Sequence, residues 1–293
     1  MKIGFIGFGE AAYHISSGLQ TEEVERIHTF DINVDHPSFG SKIKERAEEL
    51  NIVLEGTLKD LISHSDVIIC ATSAKFALSI AKEAVPFLTE DKIYVDINAT
   101  SPMVKEEIEQ IVSSKCRYFV DGAVVESIPN YKHKVPILVS GKGASEFIEV
   151  GKCLGMNLTR INDKPGSASA IKMSRSIFMK GFTMLLLETL SLSNKYDVAP
   201  LIMESLNQSI TGKYLEVTAN NLLNRTAIHA ERRVTELEEV IKTLEEANVN
   251  SLMSQATKEK LSYLVQLELN KFFNYEQPQN YADVVAAINS IEK

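Results

Sequence analysis

Short apolar runs alternate with stretches of helical period through the first half of the chain. The run Asp66–Ala71 (DVIICA) is continuously apolar after its first residue, as strands covered on both faces of a parallel sheet are. The same reading predicts strands over 2–6, 26–30, 52–54, 93–97, 117–120, 136–139 and 157–161. Helical patterns separate them, ending near Gln20 and covering 43–50, 58–62, 74–87, 102–112 and 144–154. Strands that alternate with helices over this length imply a doubly wound parallel sheet of Rossmann type, an α/β fold. The texture changes near Asp163. Helical periodicity continues from there over 167–195, 199–210, 213–223, 228–247, 251–273 and 281–291, with Pro200 and Pro278 the only prolines after Ser167. The pattern therefore predicts an α/β domain over 1–163 followed by an all-α domain over 164–293.

The helical part opens on PGSASAIKMSRSIFMKG, Pro165–Gly181. Ile171, Met173, Ile177, Phe178, Met184 and Leu185 surround this helix with apolar side chains, so most of its circumference is expected to be buried. Lys172 sits inside that run, one turn from Ser176 and on the same face. A lysine on a buried helix must be paired, reach water, or do chemistry.

Composition narrows the classes. Hydrophobic residues make up 44% of the 293 and charged residues 24%, as in ordinary globular proteins. A formal net charge of −8 argues against sequence-independent nucleic-acid binding, which needs a basic face. Cys70, Cys116 and Cys153 are odd in number and widely spaced, which fits a reducing compartment and small core residues rather than a disulfide framework or nucleophiles. No apolar run is long enough to span a bilayer, and the opening strand leaves no room for a signal peptide. A cytoplasmic protein with no membrane partner and no metal is expected.

The first strand ends in Gly7-Phe8-Gly9-Glu10-Ala11-Ala12, a G-x-G-x-x-A turn that opens a helix. Such a turn brings backbone against a pyrophosphate and presents the free N–H groups of a helix N-terminus. Asp31 ends the second strand, 22 residues after Gly9, where a carboxylate accepts hydrogen bonds from the adenosine ribose. The same charge repels a 2′-phosphate, so NAD is favoured, with NADP the alternative. Ala71-Thr72-Ser73 and Asn98 follow two further strands and should line the same crevice. The candidate cofactor residues are thus Gly7, Phe8, Gly9, Glu10, Ala11, Asp31, Ala71, Thr72, Ser73 and Asn98.

With the phosphate loop, DINATSP, Asp121-Gly-Ala-Val124 and GSASAIKMSRS in order, the chain resembles the β-hydroxyacid dehydrogenases over essentially its whole length. These include 3-hydroxyisobutyrate and 6-phosphogluconate enzymes. The resemblance implies that Lys172 is the general acid/base and that Ser176, at the position of the family's asparagine, holds the same substrate oxygens. It also implies that Gly122, Ala123 and Val124 lie against the substrate. The family's D-x-P-V-S-G-G loop is altered here: Val125 replaces its serine, and Glu126 and Ser127 replace its glycines. Met179 replaces the proton-donating glutamate of the decarboxylating relatives, which argues against decarboxylation. His229, Arg232, Arg233 and Glu236 share one helix face in a segment resembling a branch with a phosphogluconate-dehydrogenase-like C-terminal domain. His229 and Arg233 are the candidate anion-binding pair, and a surface pairing of the arginines with Glu236 is the alternative. The implied protein is an NAD(P)-dependent oxidoreductase acting on a small anionic hydroxy acid, or its semialdehyde or keto counterpart. An imine-reductase-like enzyme and a catalytically silent dinucleotide-binding protein are the alternatives. The apolar content of Leu261–Phe273 suggests a homodimer.

Overall fold

The computed structural model describes residues 1–292. Eight strands form one sheet: β1 (Lys2–Ile6), β2 (Arg26–Phe30), β3 (Val53–Leu54), β4 (Val67–Cys70), β5 (Ile93–Asp96), β6 (Tyr118–Val124), β7 (Ile137–Ser140) and β8 (Leu158–Arg160). Their order is β3-β2-β1-β4-β5-β6-β7-β8, the doubly wound α/β arrangement the strand–helix alternation implies. Helices α1 (Glu10–Leu19), α2 (Gly40–Glu49), α3 (Leu58–Ser63), α4 (Ala77–Ala84), α5 (Pro102–Val112), the single turn α6 (Ile128–Tyr131) and α7 (Ala144–Cys153) connect them. Two apolar layers, one around Phe5, Phe8 and Ile15 and the other around Ile68, Tyr94 and Ile108, cover the two faces.

Two features depart from the sequence pattern. β6 runs on to Val124, past the expected end at Val120, because Asp121–Val124 pair with Ser140–Ile137 of β7. That pairing is antiparallel, whereas the other neighbours are parallel. The β6–β7 connection contains only short helical turns, so the chain folds back instead of crossing over. In addition, Cys70 and Cys116 are buried but Cys153 is exposed at the end of α7.

Below the carboxyl ends of the strands lies a fully buried ionic network. Lys105 Nζ of α5 donates to Asp96 Oδ1 (2.8 Å) and to the Asp96 carbonyl (2.7 Å), and lies 3.4 Å from Asp121 Oδ1. Asp121 also accepts from Ser140 Oγ (3.1 Å) and from the N–H (3.0 Å) and Oγ (2.6 Å) of Ser169. The Ala168 N–H donates to Ser140 Oγ at 3.0 Å. The carboxylate of β6 thereby caps the start of α8 (Ser167–Lys195), bonding an N–H that no helical carbonyl reaches. Chain contacts divide into two compact units inside α8, Met1–Ile177 and Phe178 onward, and these bonds tie the first turns of α8 to the sheet.

The second unit holds the rest of α8 with α9 (Ala199–Ile210), α10 (Leu215–Glu246), α11 (Leu252–Gln266), α12 (Leu269–Phe272) and α13 (Tyr281–Ile291). The expected break over 223–228 is instead a kink at His229, where φ −116° and ψ 25° interrupt one long helix. Left-handed Glu268, at φ 50°, divides the stretch expected as one helix over 251–273. Buried Glu188 accepts from the N–H groups of Met253 and Ser254, capping α11. Leu261 is buried, and Leu264, Leu267, Leu269 and Phe273 pack with Ala227, Val284 and Ala287, so the Leu261–Phe273 segment builds this unit's own core. The helix α8 is not covered as its pattern suggests: Ile177 is 78% and Leu187 60% exposed in the single chain. Among the described residues, no helix is long and apolar enough to cross a membrane.

Replacing Lys105 by Met should cost about 3–5 kcal/mol, because it strands two buried carboxylates without a cation. Urea denaturation measures this, and an unchanged midpoint would show that water reaches Asp96 and Asp121.

Candidate functional site

The turn after β1 is built for close backbone approach. Gly7 has φ +87°, and a Cβ there would meet Thr72 Cγ2 at 2.6 Å and the Ala71 carbonyl at 2.8 Å. A Cβ on Gly9 would meet nothing within 4 Å, so open space lies over the loop. Gly9 is the N-cap of α1 and no side chain caps that helix, which leaves its first N–H groups free for an anion. These residues fit a dinucleotide pyrophosphate. Phe8 lies differently: its side chain is fully buried and its N–H donates to Asp31 Oδ2 at 2.8 Å. Glu10 extends from the first turn of α1 and pairs with Arg46, Lys42 (3.1 Å) and His14 (3.3 Å). The hydrogen bond from Arg46, then that from Lys42, pulls its carboxyl down to about 2.

A trench of about 510 Å³ runs along this turn, lined by Gly7, Gly9, Asp31, Asn33, Ser73, Ser79 and Glu83 among others. It contains no lysine or arginine. Asp31 Oδ1 accepts from the Asn33 N–H (2.8 Å), so backbone groups on both sides fix the carboxylate.

Ala71 and Thr72 belong both to this trench and to an adjoining cleft of about 510 Å³. The cleft gathers Glu10 and Ala11 of α1, Asn98 after β5, Val124 at the end of β6, and Lys172, Arg175 and Ser176 of α8. Asn98 is buried and clamps neighbouring strand ends: its Oδ1 accepts from the Thr72 N–H (2.7 Å), and its own N–H donates to Asp96 Oδ1 (2.8 Å). Gly122 and Ala123 are buried within the β6–β7 ladder, while Val124 reaches the cleft wall. Cys70 is also buried, and desolvation pushes its thiol up to about 12, which removes it as a nucleophile.

Lys172 is half-buried and makes no ion pair among the described residues. Burial lowers its pKa below 10.5, the charge of Lys105 lowers it further, and Asp121 opposes both.

Glu126 and Arg175 form a pair the sequence pattern did not single out, joined at 3.3 Å across the cleft. Their signal was present: Arg175 lies three residues after Lys172, on nearly the same helix face, and Glu126 stands where the family loop has glycine. His229 and Arg233 belong to the helical unit. His229 is exposed at the α10 kink, and Arg233 Nη1 donates to Thr226 Oγ1 at 2.6 Å. Arg232 pairs with Glu236 at 3.1 Å on the exposed face.

Residues 2–100 match the family described as NADP oxidoreductase, coenzyme F420-dependent, and residues 194–264 match a domain of unknown function. An uncharacterized 28.5 kDa protein of Methanothermus fervidus is 30% identical over 264 residues, covering 90% of this chain and 99% of that one. A solved conserved protein described as structurally similar to 3-hydroxyacid dehydrogenases is 30% identical, with a TM-score of 0.63 over 92% of this chain and 99% of that one. The imine reductase of Myxococcus stipitatus, solved with NADP+, shares the fold at a TM-score of 0.72 and 16% identity, over 93% of this chain and 100% of that one.

Proposed function

Because the chain belongs to the β-hydroxyacid dehydrogenase family, in the branch of the M. fervidus protein, we propose that it transfers a hydride between a nicotinamide dinucleotide and a small hydroxy acid or its keto or semialdehyde counterpart. One observation carries this reading: a half-buried lysine without an ion-pair partner shares a cleft with the start of α1 and the ends of β4 and β5. A bound nicotinamide supplies the hydride acceptor or donor. Neutral Lys172 accepts the substrate hydroxyl proton at Nζ during oxidation, and protonated Lys172 returns it to the carbonyl during reduction. Ser176, one turn further, donates to the same oxygen. Arg175 offers a guanidinium to a substrate carboxylate that displaces Glu126.

The trench supports NAD over NADP. Asp31 and Glu83 are acidic, no basic side chain lines it, and a 2′-phosphate there would meet like charge. A second reading, imine reduction, is favoured by the apolar wall of Val124, Val125, Ile128 and Pro129, and by Arg175 being already paired. A panel of keto acids, semialdehydes and cyclic imines separates the two, and NADH binding without turnover on any of them identifies a silent dinucleotide-binding protein. The helical unit also supports a homodimer, because Leu187, Leu201, Leu215 and Leu222 expose 55–67% of their surface in the single chain.

Four outcomes are expected. Lys172→Ala lowers turnover by about 10²–10⁴-fold while the dinucleotide dissociation constant stays put. In the unmodified enzyme, oxidation rises with pH through an ionisation below 10.5 as neutral Lys172 accumulates, and reduction falls over the same window. Surviving turnover in the variant removes Lys172 from the mechanism. Fluorescence titration should give NADH tighter binding than NADPH by about tenfold or more, equivalent to about 1.4 kcal/mol. Asp31→Ser should narrow that gap, and a preference for NADPH overturns the assignment. Light scattering should give twice the chain mass of 32.6 kDa, whereas a monomer at micromolar concentration refutes the dimer.

A further inference from the structure

Away from the cleft, three side chains from three separate segments converge on one point. His28 lies in β2, Glu55 follows β3, and His64 ends α3. His28 Nδ1 is 2.7 Å from Glu55 Oε1, and His64 Nδ1 is 2.9 Å from that same oxygen. The three donor atoms all lie within 4.8 Å of one another. His28 and Glu55 have side chains only 10% and 11% exposed, while His64 is 56% exposed and closes the group on the solvent side.

A neutral imidazole that carries its proton on Nε2 presents a lone pair at Nδ1. Two such lone pairs facing one carboxylate oxygen repel unless protons or a cation lie between them. Two imidazoles and a carboxylate are a zinc ligand set, with bond lengths near 2.0–2.2 Å and a fourth position left to water. A tetrahedral ion with such bonds holds its ligand atoms about 3.4 Å apart. The 2.7 and 2.9 Å contacts must therefore open by roughly half an ångström as the ion replaces the protons between them, and the exposed His64 ring is free to move outward. Zinc also prefers imidazole nitrogen where magnesium and calcium prefer oxygen.

We propose that His28 Nδ1, Glu55 Oε1 and His64 Nδ1 form a zinc-binding site, with water as the fourth ligand from the open side. The ion fastens the β2–β3–α3 edge of the sheet. Glu55 already bonds that edge, its N–H donating to the Thr29 carbonyl at 2.8 Å, and Leu58, the first residue of α3, lines the same trench as Asp31. The site is independent of the hydride-transfer reading, since none of its ligands lines the cleft around Lys172.

The test uses the full chain, stripped with EDTA, desalted and titrated with ZnCl2. After a second desalting, elemental analysis should find one zinc per chain, and the thermal midpoint should rise with zinc but not with magnesium. Cobalt(II) should give the intense visible bands of a four-coordinate site. His64→Asn and Glu55→Gln should each weaken zinc binding by about tenfold or more, while Cys153→Ser leaves it unchanged. His64→Asn alters an exposed side chain, so it reports on ligation even if Glu55→Gln fails to fold. Failure to retain zinc, or full retention by His64→Asn, overturns the proposal.

Discussion

The first unit depends on a charge balance around Asp121. This carboxylate sits at the end of the parallel part of the sheet, where β6 turns to an antiparallel partner, and it is fully buried. Burying it is expensive unless its oxygens are satisfied. Lys105, Ser140 and Ser169 satisfy them, and each comes from a different element: α5, β7 and α8. The network therefore fixes where α8 begins and in what rotational setting it leaves the sheet. Lys172 lies one helical turn beyond Ser169, so the same bonds that anchor the helix aim the lysine.

That arrangement also sets the chemistry of Lys172. Desolvation makes an amine give up its proton more readily, and one without the carboxylate partners that Lys105 has cannot be fully buried. Half-burial with the Lys105 cation beneath it lowers proton affinity, and Asp121 limits the effect. At the other end of the cleft the electrostatics are arranged in the opposite sense. Glu10 lies beside the phosphate loop but is neutralised by Arg46 and Lys42, so its charge does not oppose an anion at the free N–H groups of α1. The trench and the lysine cleft meet at Ala71 and Thr72, and the Asn98 side chain holds Thr72 in place.

Sequence by itself determined much of this protein. The continuous apolar strands, the glycines at 7 and 9, Asp31 at a strand end and the lysine of the long helix are local signals. Each reflects backbone sterics or burial within a few residues, so period and spacing suffice to find it. Helix ends at Pro102, Ala199 and Tyr281 follow from proline, capping and turn chemistry in the same way.

Only the tertiary structure decided the rest, because it depends on which distant segments meet. Nothing in PMVKEEIEQIV sets Lys105 apart from the chain's other lysines, and only packing against β5 and β6 buries it between two carboxylates. The resemblance sets Gly122 and Ala123 against the substrate, and only the pairing with β7 shows that they are held within the ladder. The pairing of Glu126 with Arg175, 49 residues apart, and the meeting of His28, Glu55 and His64 leave no periodic trace in the chain. Side-chain burial and ion pairing act through space, and spacing along the chain encodes them only when both partners share one helix or one strand.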